Sequence, residues 1–301
     1  MDNSVYKLKF TAGVHFGTGV LSDTSCTFPA DVLFSALYIE ALKLGQEKVF
    51  YDAVKSGELV FSDALPYVGN QYLIPKPMVY VEAKRKSDSV EKKKYKKLKY
   101  LPLEQLGNFL AGNLDFDRIP DKYGRIQQQT MASVRNEGET KPFHVGTYYF
   151  EEENGLYVIV SHKTEELRTL LEELLESVSF SGIGGKKNSG LGRFTFTRGK
   201  NTELLEQYLN RKSDRYMTLS SALPGNEELE TAMEDASYLL TKRSGFVASD
   251  RYADEWRKKR DLYVFASGSC FRNRFAGDIF DVSMGGSHPV YRYAKPLFMG
   301  V

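Results

Sequence analysis

The first segment to show a period is residues 4–12 (SVYKLKFTA), where apolar and polar side chains alternate as they do in a half-buried strand. A loop with Gly13, Gly17 and Gly19 follows. Pro29 suits the first turn of a helix, and Val32, Leu33, Ala36, Leu37, Ile39, Glu40 and Leu44 then recur at helical spacing up to Gly45. Residues 59–65 (LVFSDAL) and 72–74 are expected to be short strands, ended by Pro66 and Pro75. From Pro77 to about Arg125 the period fades and charge rises, which reads as an insertion rather than part of a sheet. Residues 147–150 and 156–161 read as two strands, and Asn154-Gly155 between them is a hairpin signal.

The clearest helix is residues 163–178 (KTEELRTLLEELLESV), with Thr164 as N-cap and Leu167, Leu170, Leu171, Leu174 and Leu175 on one face. Residues 192–196 return to a strand. The order strand, helix, strand, insertion, strand, helix, strand is that of a ferredoxin-like unit, which is also the RRM scaffold. The second part repeats the order more loosely. It has strands at 216–222, 238–247, 263–271 and 290–299, a helix at 226–236 capped by Asn226, and a weaker helical pattern at 252–260.

A chain of 301 residues with 42% hydrophobic and 13% aromatic content suits two packed domains of ordinary size. No apolar run is long enough to span a membrane, and the opening residues lack the plan of a signal peptide. Cys26 and Cys270 are far apart and form no C-x-x-C pair, so a disulfide framework or zinc site is not expected. A reducing, cytoplasmic setting fits. The net charge of +2 hides an uneven distribution: residues 84–99 hold nine basic and two acidic side chains, leaving the remainder at −5. That run reads either as a solvated face or as a nonspecific phosphate contact.

The loop at residues 182–194 (GIGGKKNSGLGRF) carries the chemistry. Five glycines in its first eleven positions let the backbone approach a ligand, and consecutive amides in such turns make an anion-binding concavity. Lys186, Lys187 and Arg193 add positive charge, while Asn188 and Ser189 add short polar groups. A Walker A loop is excluded because Gly185-Lys186 is followed by Lys187 rather than Ser or Thr. A dinucleotide fingerprint is excluded because this loop follows a helix and opens a strand. The alternative is a plain helix-to-strand connection, but those run to about 2–6 residues and this one is longer and basic.

The pattern G-[IL]-G-G-K-[KR]-x-x-G-x-G-x-[FL] resembles the signature loop of the RAMP proteins of CRISPR systems. The chain also carries His15-Phe16-Gly17-Thr18-Gly19, then residues 30–37 (ADVLFSAL), 129–135 (QTMASVR) and 142–148 (PFHVGTY). Residues 240–247 (LTKRSGFV), 267–269 (SGS) and 288–297 (HPVYRYAKPL) complete the set. In that order they are similar, end to end, to the family of the fourth Csm subunit of type III-A effector complexes. The resemblance implies an α+β fold of two ferredoxin-like (RRM/RAMP) domains, residues 1–200 and 201–301. The first would carry a basic insertion at about 76–141 and a β-hairpin thumb around 125–143.

It also implies a subunit without nuclease activity, cofactor or metal. Such a subunit binds the 5′ handle of the guide RNA close to target RNA. It caps the row of backbone RAMP subunits and docks a large polymerase/cyclase-like subunit. The RNA contacts carried over are His15, Phe16, Gly17 and Ser35, and from the thumb Met131 and Arg135, with Met131 or Val134 as a wedge. The loop supplies Gly182, Gly184, Gly185, Lys186, Lys187, Asn188, Ser189, Gly190 and Arg193. A second basic turn beside an aromatic, Thr241, Lys242, Arg243, Ser244, Gly245 and Phe246, is either a contact site or a tight hairpin with solvated charges. Tyr291, Arg292, Tyr293 and Lys295 read equally as a contact or as a packed strand with exposed cations. Asp63 is expected to be a cap or turn residue. The competing function is a metal-independent RAMP endoribonuclease that uses His15 for proton transfer, with His144 or Lys186 as its partner.

Overall fold

The computed structural model describes residues 1–82, 89–133, 141–249 and 251–301. Its largest sheet is antiparallel and runs, edge to edge, Phe194–Arg198, Asp2–Phe10, Asn154–His162, Leu65–Val68, Gln71–Pro75 and Tyr100–Pro102. Leu59–Phe61 also pairs with Asn154–His162, beyond Leu65–Val68 along that strand. The helices Ala30–Leu44 and Glu165–Ser181 pack on one face, where Leu33, Leu37, Leu171, Leu174 and Leu175 meet Tyr6, Leu8, Leu156 and Val158. Burial of each such side chain contributes roughly 1.5–3 kcal/mol.

The other face is also covered. Val5, Tyr157 and Ile159 pack against Leu205, Met217, Leu219, Cys270, Leu297 and Met299. The second part of the chain therefore completes the core on that face of the first. It holds a three-stranded sheet (Cys270–Phe271, Tyr216–Thr218, Phe298–Gly300) and two hairpins, Leu240–Arg243 with Leu262–Phe265 and Asp278–Asp281 with Tyr291–Ala294. From the last hairpin Tyr293 stacks on Phe34 of the first helix at 5.8 Å.

The helix ends follow from local chemistry. Thr164 Oγ1 accepts from Leu167 N–H, Glu165 and Glu166 face the positive end of the dipole, and Gly182 at φ 79° stops the helix. Pro29, before the first helix, has no side-chain acceptor. The buried carboxylate of Asp63 supplies one instead, accepting from Ala30 N–H at 2.8 Å and from the Ser221 N–H and hydroxyl at 2.9 and 3.0 Å. Asp63 is a cap, reaching from 33 residues away.

Several expectations need correction. Residues 147–150 and 156–161 are not hairpin partners. Lys141–Phe150 pairs with Gly124–Ser133 in a ten-rung hairpin, and Asn154-Gly155 lies inside a strand. All nine residues of that strand are buried, so its middle, residues 156–160, runs apolar without alternation and its pairing partners are set by tertiary packing. Residues 77–125 are not wholly outside the sheet, because Tyr100–Pro102 pairs with Leu73–Pro75. The basic run forms the helix Ser89–Lys97, and its residues 84–88 lie outside the described residues. Helix 226–236 shrinks to Leu229–Met233 with Glu228, not Asn226, at its cap, and residues 252–260 are not helical. Glu47–Ser56 and Glu203–Asn210 are additional helices, the former burying Phe50, Ala53 and Val54.

Candidate nucleic-acid interface

After Gly182 the chain must turn back to reach Phe194, and it does so through residues that only glycine tolerates well. Gly182, Gly184, Gly190 and Gly192 have φ of 79°, 95°, 82° and 80°, and Lys186 takes a left-handed φ of 58°. A Cβ on Gly192 would stand 2.1 Å from Ile183 O, and one on Gly184 would stand 2.8 Å from His15 O. The loop therefore sits directly on the segment before the first helix. Gly185 N–H donates to His15 O at 2.8 Å and Gly192 N–H to Gly13 O at 3.0 Å. Ile183 points into the core and Leu191 is buried, while Asn188, Ser189 and Arg193 are exposed. Among the described residues no carboxylate pairs with Lys186, Lys187 or Arg193.

His15 is buried, and its Nδ1 donates to Gly146 O at 2.7 Å, because a carbonyl can only accept. The other ring nitrogen, Nε2, would lie 3.7 Å from a Cβ on Gly17. Gly146 belongs to the long hairpin, so His15 ties that hairpin to the glycine loop. Lys186 Nζ lies over the Phe143 ring at 4.8 Å, a second tie between the two. His144 Nδ1 instead meets Thr130 Oγ1 across the hairpin at 3.2 Å. Phe16 is buried against Phe28, with ring centroids 4.9 Å apart. Met131 pairs with Phe143 near the hairpin's end, and Val134 and Arg135 lie outside the described residues.

The second group of predicted contacts is built differently. Arg243 makes a bidentate pair with Asp31, at 2.9 and 3.2 Å, and Asp31 also receives the guanidinium of Arg292. Burial holds the Arg292 guanidinium below the usual arginine range, partly offset by Asp31. Arg292 Nη2 also donates to Ser244 O at 3.3 Å. Lys242 pairs with Asp261 at 2.7 Å. Thr241 opposes Val264 in the hairpin, Gly245 has φ 139°, and Phe246 is half exposed. Ser35 lies one turn beyond Asp31, and its hydroxyl donates to Asp31 O at 2.8 Å.

The structure thus brings His15, Phe16, the glycine loop and the hairpin into one site, and sets Ser35 one helical turn from Asp31, which the strap of residues 241–246 engages through Arg243. The segment Phe28–Asp31 touches both, through Phe28 on Phe16 and Asp31 on Arg243. Arg292 and Lys295 are not exposed cations: both are buried, Lys295 donating to Gly277 O at 3.1 Å. Asp31 was legible only as an acid in a first helical turn, since its partners lie 212 and 261 residues on. The basic run contributes exposed Lys92, Lys94 and Lys96 to a cleft shared with Asn108, Asn113 and Arg118, apart from either group. No group of three His, Cys, Asp or Glu able to hold a metal occurs among the described residues. None of their helices is long and apolar enough to cross a membrane.

Comparison with known proteins narrows the reading. Residues 211–301 match the family model of the CRISPR Csm4 C-terminal domain. A CRISPR system Csm4 protein of Mycobacterium tuberculosis H37Rv is 39% identical over 305 residues, covering 100% of this chain and 98% of that one. Its counterpart in Streptococcus thermophilus is 38% identical over 307 residues, covering 99% and 98%. Among solved structures, a chain of the Csm3–Csm4 subcomplex of a type III-A interference complex superposes with a TM-score of 0.69 at 19% identity, over 99% of each chain. A chain of a Csm1–Csm4 cassette bound to pppApA superposes with a TM-score of 0.62 at 19% identity, over 100% and 98%. The fold is a mixed α/β architecture shared with these structures, and on full-length identity the chain belongs to the Csm4 family.

Proposed function

We propose that this chain is a non-catalytic RNA-binding subunit of a type III-A CRISPR interference complex in the cytoplasm. It holds the 5′ handle of the guide RNA, close to target RNA. One observation carries this reading: a glycine-shaped loop, locked onto the His15 segment, presents Lys186, Lys187 and Arg193 without carboxylate partners among the described residues. Lysine ammonium groups and loop amides in that arrangement suit phosphates of a single strand. His15 acts as an ordering residue, since its Nδ1 is committed to Gly146 O. The long hairpin is the thumb, and Met131 beside Phe143 is the wedge toward the guide–target duplex.

In this reading the fold is two ferredoxin-like domains, residues 1–200 and 201–301. The strand order of the first sheet and the family-model match at 211–301 support that division. The relatives solved as Csm3–Csm4 and Csm1–Csm4 assemblies support two protein partners for this chain, a backbone subunit and a large subunit. In this way it caps the backbone row and docks the large subunit. The test is to purify complexes carrying Lys186→Glu and Lys187→Glu and measure their guide RNA content, which is expected to fall. Unchanged content sinks the assignment. Cleavage of labelled repeat RNA by the wild-type chain, lost in His15→Ala, would replace it with the endoribonuclease reading.

A further inference from the structure

The basic helix Ser89–Lys97 has a composition that its own stability does not explain. Lys92 and Lys96, like Lys93 and Lys97, stand one turn apart, and like charges at that spacing destabilise a helix. What anchors the helix is Tyr95. Its ring stacks on Phe109 at 5.9 Å with 4° between the planes, and Lys76 Nζ lies 4.7 Å over it and donates to Tyr95 O at 3.0 Å. Phe109 is itself buried in the core shared with the second part of the chain. The lysines from Lys92 to Lys97 take no part in that anchorage, and among the described residues none of them pairs with a carboxylate.

Between this helix and residues 108–118 lies a cleft of about 900 Å³, a volume in the range of ligand sites. Lys92, Lys94 and Lys96 line it from the helix, and Asn108, Asn113 and Arg118 from the other segment. Arg118 pairs with Asp115 at 3.3 Å, and Asp115 also accepts from Asp117 N–H at 3.1 Å. The lining thus holds four cations against two carboxylates, a net of +2. Every exposed residue in it is polar, while its apolar side chains, such as Leu114 and Phe116, are half-buried or buried. That composition selects the occupant. Protein interfaces are built around aromatic and aliphatic anchors and are poor in lysine. A nucleic-acid strand is met by Lys and Arg at its phosphates and by side-chain amides at its sugars and bases. Lys92 and Lys96 lie roughly 5–6 Å apart at Cβ, so one strand can meet both with neighbouring phosphates.

The geometry points to this cleft as a second RNA site, in which Lys92, Lys96 and Arg118 hold the phosphates of an unpaired strand. Asn108 and Asn113 reach its sugars or bases without selecting a sequence. The site is no extension of the glycine loop. The loop opens the edge strand Phe194–Arg198 and packs through Ile183 on the face covered by the two long helices. The cleft lies past the opposite edge strand, Tyr100–Pro102, on the face of Phe109. The two sites can therefore fail separately.

The full-length chain is titrated with a labelled single-stranded RNA of mixed sequence at several salt concentrations, following anisotropy. Lys92→Gln with Lys96→Gln should weaken binding roughly 10- to 100-fold at low salt and lower the slope of log affinity against log salt by about 1.4, two contacts at about 0.7 each. Binding that remains in Lys186→Glu with Lys187→Glu should disappear when the two cleft changes are added. A cleft variant with wild-type affinity and slope overturns this inference and leaves the glycine-loop reading standing. If that variant instead loses a purified backbone or large subunit, the cleft is a protein interface and the inference falls. RNA held normally by the loop variant and lost by the cleft variant upholds the cleft and sinks the loop. RNA that fails to bind the wild type overturns both. In assembled complexes, 4-thiouridine placed in the guide or in the target shows which strand fills the cleft, by crosslinking to the peptide that carries Lys92 and Lys96. Crosslinks from neither strand overturn the inference.

Discussion

The glycine loop and the strap both present Lys and Arg beside a tight turn, yet they hold their charges in opposite ways. In the loop the backbone is the structural element. Positive φ values and amide-to-carbonyl bonds fix its path, and its cations pair with no carboxylate among the described residues, Lys186 resting only on the Phe143 ring. In the strap the cations are the structural element, since Arg243 and Arg292 converge on buried Asp31, while Lys242 makes only an exposed pair with Asp261. The lesson is that a basic turn in sequence says little about which charges are free to meet a ligand. Glycine content marks the turn whose shape is set by backbone, and there the charges are spare.

Substitutions separate the two designs. Asp31→Ala leaves Arg292 buried without its counter-ion and should destabilise the protein by about 3–5 kcal/mol, read by urea unfolding. A loss below about 1 kcal/mol would mean that the strap does not depend on its charges. Gly192→Ala forces a Cβ toward Ile183 O at a left-handed φ and should be destabilising by about 1–3 kcal/mol, by the same measurement. Lys186→Glu with Lys187→Glu should cost no more than the Lys186–Phe143 contact, about 0.5–1 kcal/mol, while weakening RNA binding roughly tenfold or more at low salt, read by anisotropy. If stability falls by more than that, the loop's charges are structural after all. Lys242→Gln should be smallest, with its exposed pair to Asp261 lost and the melting temperature within error of wild type. Cys270, whose thiol burial pushes up to about 12, should resist thiol reagents in the native chain and react on unfolding.

Much of the first half was legible because its elements obey local rules. The leucine period and Thr164 mark the helix Glu165–Ser181, and the glycine pattern marks the loop after it. What failed was pairing. Asn154-Gly155 has turn chemistry but lies in a strand buried on both sides, where packing overrides the local preference. The site was half legible for the same reason. Lys186 and Lys187 sit on a contiguous motif, whereas the Asp31 cluster joins residues 212 and 261 apart, and the tie from His15 to Gly146 spans 131. No spacing rule reaches that far.

The central strand Asn154–His162 has a further consequence, for how the chain is made. Its neighbour in the sheet begins at Asp2, paired with His162, so that strand leaves the ribosome long before the one that satisfies its edge. The face carrying Val5, Tyr157 and Ile159 waits longer, until Met217, Cys270 and Met299 arrive. Closing such long loops is slow, and the waiting surface is apolar. A fragment ending at residue 200 should therefore be prone to aggregate, and nascent chains should lean on chaperones until translation has passed Met299.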